Sequence, residues 1–468
     1  MKCNPEVLLV DPPKEPWWLL GETVMPPLGL LYIASYLKSK DVDVALLDCQ
    51  ALGYSWRDLR SALEAIKPSV VGVGGPTCYS YKALEVCRIS KEVDPSITTV
   101  VGGPHFTFTA EETLAESVHV DFVVRGEGEE TMYELVKALL QGGLDVKKIK
   151  GLSYRDDLHV RHNPPRPLIR NIDEIPMPDW SLLPMDKYKL VAWGSKAIMT
   201  LSSRGCPFKC NFCSEWMFWG GVWRPHSPQR VVNELEHLNK RYGKEVFWFA
   251  DDTFNVDRGR LIAICREILD RGLNVHWGFE GRADLILRDL DILELMRNSG
   301  LFWVLVGVEA STDEELRSYN KGLTIRQVEN AFKALKEHDI ITQAMFIVGS
   351  REDDEASIKS KLKFALKLDP DFVIFTPLTP LPGTQLYEEA VREGWLSTRD
   401  YSKFDFAHAV LNTKHLSSRD VDELMIYCYR KFYNRPIKTL KGLLSRNRFR
   451  RAINAYFLKF FLKRLLAP

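Results

Sequence analysis

Three cysteines fall within the run Cys206-Pro207-Phe208-Lys209-Cys210-Asn211-Phe212-Cys213. Thiolates at the spacing C-x3-C-x2-C supply closely grouped soft ligands for three irons of a cubane cluster and leave the fourth iron without a protein ligand. An iron with an open position makes the cluster a catalyst rather than a pure electron carrier. The competing chemistries are a zinc knuckle and three packed core cysteines. Structural zinc takes four ligands, no fourth cysteine lies near, and His226 is the closest imidazole, so the iron–sulfur reading is preferred. Cys265 and Cys428 fall on helix-period segments and read as packed thiols. Nine cysteines in 468 residues are an odd, thinly spread set, which favours metal or redox use over a disulfide framework.

The elements that must position these thiols follow from hydropathy. The cysteines come directly after an apolar run at 198–202, the first of six strand candidates; the others are 246–250, 275–279, 302–308, 342–348 and 372–376. Strands about 25 to 45 residues apart with helices between them predict a partial (β/α)6 barrel over 196–385. An earlier alternation, with strands at 7–10, 44–47, 70–73, 98–101 and 122–124, predicts a doubly wound parallel sheet over 1–145. Ligands bind such sheets at the carboxyl ends of the strands. Unusual residues gather at those ends: Asp11-Pro12-Pro13, Gly74-Gly75-Pro76-Thr77, Gly102-Gly103-Pro104-His105 and Arg125-Gly126-Glu127-Gly128-Glu129. The proline-rich stretch 146–195 reads as a linker or a small surface hairpin, and 386–468 as a mostly helical C-terminal region with a basic amphipathic tail.

The three-cysteine loop, with an aromatic residue before its last cysteine, resembles the radical S-adenosylmethionine superfamily. Further signatures sit in order at the predicted strand ends: Ala250-Asp251-Asp252-Thr253-Phe254, Gly307-Val308-Glu309 and Phe346-Ile347-Val348-Gly349. The resemblance spans about 196 to 380 and implies a 4Fe–4S cluster on Cys206, Cys210 and Cys213, with S-adenosylmethionine chelated at the open iron. It implies that Asp252 meets the methionine ammonium, that Gly307 and Glu309 lie near the ribose and carboxylate, and that Gly349 ends the adenine-contacting strand. Arg282 is a candidate for pairing with a carboxylate or phosphate. The bland readings are a helix N-cap for Asp252 and a solvated charge for Arg282.

The N-terminal motifs Pro26-Pro27-Leu28-Gly29-Leu30, Gly102-Gly103-Pro104-His105 and Gly126-Glu127-Gly128-Glu129 resemble the cobalamin-binding domain fused before many of these enzymes. Gly102, Gly103, His105, Gly126 and Glu127 are thereby candidates for the cobalamin site. An ordinary nucleotide-binding sheet is the alternative, but Gly-x-Gly-x-x-Gly does not follow the first strand. Cobalamin mutases and methionine synthase carry Asp-x-His-x-x-Gly, which is absent here; His105 and His119 are the only histidines before residue 150. The cobalt is thus expected base-off without a histidine beneath it. The lower face falls to Pro76 to Tyr79, with Pro76, Thr77 and Tyr79 as candidates, or to water or no ligand.

The group whose likeness is strongest contains anaerobic magnesium-protoporphyrin ester cyclase and related methylases, carried by the cysteine run through Ser214-Glu215-Trp216 and by Tyr401-Ser402-Lys403-Phe404-Asp405-Phe406-Ala407-His408. It implies C-methylation through methylcobalamin, with a second S-adenosylmethionine yielding the radical, and a reductase, flavodoxin or ferredoxin as electron donor. An unactivated carbon of a peptide or protein side chain is the favoured acceptor. Oxidative cyclisation or another radical transformation of a tetrapyrrole or lipid is the alternative, and a cobalamin or redox sensor the non-enzyme one. Trp216, Phe218, Trp219 and Trp223 line a cavity or form core, and His408 is a candidate acid or base.

The formal charge of +1 describes an evenly charged globular chain with no nucleic-acid partner. No signal-peptide layout and no long apolar run appear, which points to the cytoplasm. From Arg435 onward, however, the chain holds ten Lys/Arg and no Asp/Glu. With Ile453, Tyr456, Phe457, Phe460, Phe461 and Leu465 at largely helical spacing, that tail predicts either peripheral contact with an anionic membrane or an apolar stripe packed on the barrel.

Overall fold

The computed structural model describes residues 5–15, 23–142, 144–157, 159–190 and 192–466, with the side chains of 460–466 outside the description. The stripe residues Phe460, Phe461 and Leu465 therefore lie outside the described side chains.

The first sheet has seven strands in the order β2-β1-β3-β4-β5-β6-β7. They are β1 (Val7–Asp11), β2 (Val44–Asp48), β3 (Val70–Gly74), β4 (Thr98–Gly102), β5 (Phe122–Val124), β6 (Leu152–Asp156) and β7 (His159–His162). The first five pair in parallel. Along β1, Val7 and Leu9 join one buried cluster while Leu8 and Val10 join another, so both faces are covered. The chain order reverses between β1 and β3, which opens the crevice where such sheets bind ligands. The stretch read as a linker is more than that: β6 and β7 form an antiparallel hairpin that extends this sheet from β5. Tyr154 of β6 faces Phe122, and Trp180 and Tyr188 further on are fully buried. Prolines marked the turns of this segment, while its buried alternation, Leu152 and Tyr154, was too short to stand out as a strand.

The second sheet is parallel throughout, in the order β15-β14-β13-β12-β11-β8. Its strands are β8 (Ala197–Thr200), β11 (Val246–Phe249), β12 (His276–Gly281), β13 (Leu301–Glu309), β14 (Ile341–Val348) and β15 (Phe372–Pro377), with the short ribbon β9 (Ser203–Arg204) and β10 (Arg224–Pro225) between β8 and β11. Neighbours in sequence are neighbours in space, joined by helices, which curls the sheet into a half-barrel. Phe247 and Phe249 pack toward the helices, while Val246, Trp248, Trp303, Leu305, Met345 and Phe372 pack together on the other face.

That inner cluster is plugged by the C-terminal tail. Phe449, Ile453 and Phe457 of the helix Arg448–Leu466 join it; Phe449 lies 4.1 Å from Phe302 between ring centres, and Phe457 lies 4.7 Å from Tyr433. Arg450 pairs with Asp371 at 2.6 Å and with Asp339, holding the helix down. The described part of the predicted tail stripe is therefore core, not a membrane face: the uncovered apolar cluster of the half-barrel outcompetes solvent for it. Phe449→Ala should lower stability by roughly 2–4 kcal/mol in urea unfolding. Leu444→Ser, at a position 75% exposed, should change it by no more than about 0.5 kcal/mol.

Candidate functional site

The cysteine loop spans the gap between β9 and β10, and its two ends are pinched together by that ribbon, with Arg204 directly opposite Arg224. Gly205 makes the entry turn at φ +90°, and a Cβ there would sit 2.1 Å from the Val222 carbonyl oxygen, so only glycine lets the two ends meet. The loop's aromatics brace it. Trp216 Nε1 donates to the Cys210 carbonyl, Trp219 Nε1 to Glu215, and Trp223 Nε1 to Ser203 and the Thr253 carbonyl. From the far side, Asn211 donates to the Ser318 carbonyl and Asn320 to that of Lys209.

Cys206, Cys210 and Cys213 are free thiols along this loop. Among the described residues no three His, Cys, Asp or Glu side chains converge on a single-ion site. Thiols spread along one loop suit a cluster in which each cysteine takes a different iron. Burial pushes the Cys210 and Cys213 thiols up, a penalty that ligation to a cationic iron removes. The donor set therefore fits a 4Fe–4S cluster.

Carboxylates ring the loop. After β11, Asp251 accepts from the Ser202 and Ser203 hydroxyls, Asp252 accepts from the Gly205 amide at 3.2 Å, and Thr253 Oγ1 lies 3.3 Å from Cys206 Sγ. Burial, then the neighbouring Glu215, pushes Asp252 well above the usual carboxylate range, and burial raises Glu215 as well. Glu280, on β12, is pushed up to about 7 by burial and by Asp251, Glu215 and Glu309. A buried group of carboxyls short of cations suits a ligand carrying an ammonium and a sulfonium, as S-adenosylmethionine does. Arg282 donates to the Lys321 carbonyl at 2.7 Å and to Asp284, and lies 3.7 Å over the Phe208 ring, clamping the cysteine loop. Glu309, at the end of β13, is paired with Lys321 at 2.7 Å and has φ +63°. Gly307 leaves room for that carboxylate, since a Cβ would lie 2.4 Å from it. Gly349 ends β14 at φ +74° and packs on Val421.

At the carboxyl ends of the first sheet, Gly103 turns the chain at φ +93° with its Cα side against the Gly75 backbone, and Gly102 ends β4. A Cβ at either position would press on the backbone of Val124 or Gly75, so these glycines let the strand-end turns pack on one another. Pro76, Thr77 and Tyr79 form the turn after β3, with Lys14 and Lys82 over the Tyr79 ring. His105 is 4% exposed, its Nδ1 has no partner, and burial pushes its pKa down to about 4, so it is neutral. Tyr401 packs edge-on to it at 4.8 Å and hydrogen-bonds Tyr387, so the distal aromatic segment covers this loop. His408, by contrast, is half exposed, and its ring nitrogen pairs with Asp405 at 2.9 Å. The buried, unpartnered His105 nitrogen at these strand ends fits a bound cobalamin.

Glu127 was expected at that cofactor, but its carboxylate is fully engaged elsewhere. One oxygen accepts from Arg204 at 2.8 Å and Arg224 at 3.0 Å; the other accepts from Arg224 and from the Ile169 amide, each at 2.8 Å. Glu129 accepts from Arg204 at 2.6 Å. Arg204 also lies over Tyr32 and Arg224 over Trp219. Gly126 donates to Thr107. The sequence signal for this junction was present, as an arginine two residues before the first cysteine, but not its partner 77 positions away.

Two family models match, the B12 binding domain over residues 21–136 and the Radical SAM superfamily over 200–393. The chain is 38% identical to an uncharacterized methyltransferase of Pyrococcus horikoshii, covering 95% of this chain and 96% of that one. It is 34% identical to the anaerobic magnesium-protoporphyrin IX monomethyl ester cyclase of Rubrivivax gelatinosus, over 87% and 74%. In fold it is similar to the cobalamin-dependent S-adenosylmethionine radical enzyme OxsB, with TM-score 0.75 and 18% identity over 98% of this chain and 71% of that one. A mostly parallel doubly wound sheet, joined to a half-barrel with a three-cysteine loop, is the architecture of a radical enzyme with two cofactor-binding domains. This chain belongs to the cobalamin-dependent radical S-adenosylmethionine family, and its cofactors are a 4Fe–4S cluster, S-adenosylmethionine and cobalamin.

Gly205→Ala should abolish cluster loading, read as iron and sulfide content after anaerobic reconstitution, while far-ultraviolet circular dichroism stays that of the parent. Glu127→Ala leaves two buried arginines opposed and should lower stability by roughly 3–5 kcal/mol in denaturant unfolding, the range for breaking a buried ion pair.

Proposed function

We propose that this chain is a C-methyltransferase that places a methyl group from S-adenosylmethionine on an unactivated carbon. The observation that supports this most is the shared junction: Glu127, in the turn after β5, holds both ends of the cysteine loop, so the two cofactor sites are built on one set of contacts. Phe108, beyond β4, also touches Phe218 of the cysteine loop and lies against Gly383 after β15. When bound, the reduced cluster supplies the electron that cleaves S-adenosylmethionine and cobalamin supplies the methyl carrier.

The chain's own groups bind and orient. Asp252 and Glu215 would accept from the donor's ammonium, a cation that would offset the burial raising both carboxyls and the repulsion of Asp252 by Glu215. Arg282 and Lys321 hold the loop and Glu309 in place. Trp216, Trp219 and Trp223 brace the loop through their indole N–H groups and would hold the three thiols in place for a cluster. Neutral His105, wedged between Phe106 and Tyr401, offers an uncharged face beside the macrocycle.

The relative named for a tetrapyrrole ester favours a small apolar acceptor over the peptide or protein side chain favoured by sequence. That same relative supports a second reading, oxidative cyclisation with no methyl added. Enzymes of this superfamily need an electron donor, and a flavodoxin, ferredoxin or reductase is the donor proposed here. Anaerobic turnover with a strong reductant should yield both S-adenosylhomocysteine and 5′-deoxyadenosine, and CD3-labelled donor should leave a CD3 group on the product. Sustained 5′-deoxyadenosine with substrate conversion and no S-adenosylhomocysteine would favour the cyclase.

A further inference from the structure

One face of the helix Pro436–Leu443 is bound to the barrel. Arg435 and Lys438 both pair with Asp369, and Arg435 lies 4.1 Å over the Phe432 ring. The opposite face is apolar and open: Ile437 is 72% exposed, Leu440 58% and Leu444, just past the helix end, 75%. At a helical turn of 3.6 residues these three fall within an arc of about 60°. Lone exposed apolar residues are ordinary, but three on one face of one helix mark an interaction site.

The surroundings of that face are basic. Lys441 borders that arc, about 40° beyond Ile437, and Arg446, Arg448 and Arg451 are exposed in the chain that follows. From residue 435 to 468 there are ten Lys/Arg and no Asp/Glu. Three other basic residues of the tail, Arg435, Lys438 and Arg450, are used inward on Asp369, Asp371 and Asp339; of the exposed ones Arg448 lies near Glu245, which is itself paired with Lys196, and the tail holds no acidic residue. No helix is long and apolar enough to cross a membrane among the described residues.

We infer that the face of Ile437, Leu440 and Leu444 docks on an anionic lipid surface, with the three side chains entering the headgroup–acyl boundary and Lys441, Arg446 and Arg448 meeting the anionic headgroups. Apolar tips bordered by cations match the layering of an anionic bilayer, hydrocarbon beneath negative headgroups. This is a different face from the stripe of Ile453 and Phe457, which the barrel covers. It is independent of the methyl-transfer reading, because none of these residues touches either cofactor site.

The test is co-sedimentation of the full-length, cofactor-loaded protein with vesicles of phosphatidylglycerol and phosphatidylcholine in equal parts, and with phosphatidylcholine alone. The parent should bind the mixed vesicles, bind the neutral ones far less, and be released as salt rises. Ile437→Ser/Leu440→Ser/Leu444→Ser should bind the mixed vesicles at least about a hundredfold more weakly, the scale of losing three partly buried apolar side chains, with cluster and cobalamin content unchanged. Lys441→Gln/Arg446→Gln/Arg448→Gln should lose the preference for phosphatidylglycerol. Equal binding by parent and serine variant, or no binding by the parent, overturns the inference. So does a parent that is dimeric in size-exclusion chromatography without vesicles while the serine variant is monomeric, since the face is then an interface between copies.

Discussion

Two arginines placed directly opposite each other on a two-residue ribbon, both buried, are an arrangement that cannot persist alone. Arg204 and Arg224 close the cysteine loop, and like charges facing across paired strands repel. Glu127 and Glu129 neutralise them with charge-assisted hydrogen bonds from another sheet. Closure of the cluster loop is therefore conditional on the first sheet being in place. Both halves of the pair are as buried as core residues, so the contact is strong only while complete: removing either sign leaves a buried charge that water cannot reach.

The same logic, charge awaiting its opposite, runs through the site itself. Asp252, Glu215 and Glu280 carry carboxyls lifted by burial, and in Asp252 and Glu280 by the neighbouring carboxylates as well. A cationic ligand lowers the free energy of that arrangement. Nearby cations are already committed, Lys321 to Glu309 and Arg282 to Asp284 and the Phe208 ring, so they hold walls rather than neutralise the floor. On the cobalamin side the polarity is reversed in character: a neutral, buried histidine under an aromatic cover from Tyr401 suits a large, largely apolar group.

Much of this was legible in the sequence where the relevant physics is local. Alternation of apolar runs with helical periods gave both parallel sheets, and the strands lie within a residue or two of expectation. The thiol spacing located the loop, and Asp252 and Arg282 do lie against it. What was not legible depends on which distant surfaces meet. The carboxylate of Glu127 sat in a glycine-rich strand-end motif and read as a cofactor contact, whereas a partner 77 residues away claims it. The hairpin β6–β7 was masked by the prolines around it. Ile453 and Phe457 have the period of an amphipathic helix, and periodicity alone does not say whether a barrel or a bilayer covers the apolar side. His408 shared a motif with Tyr401, but one turn of chain separates the covered ring from the exposed imidazole.

The central claim is that the cysteine loop and the turn after β5 are one cooperative unit. Amide hydrogen exchange followed by mass spectrometry, comparing the parent with Glu127→Gln, tests it most directly. The account predicts that peptides covering 205–213 and 126–129 lose protection together in the variant, while the strands β13 and β14 keep theirs. Loss of protection confined to 126–129, with the cysteine loop as protected as in the parent, would contradict it.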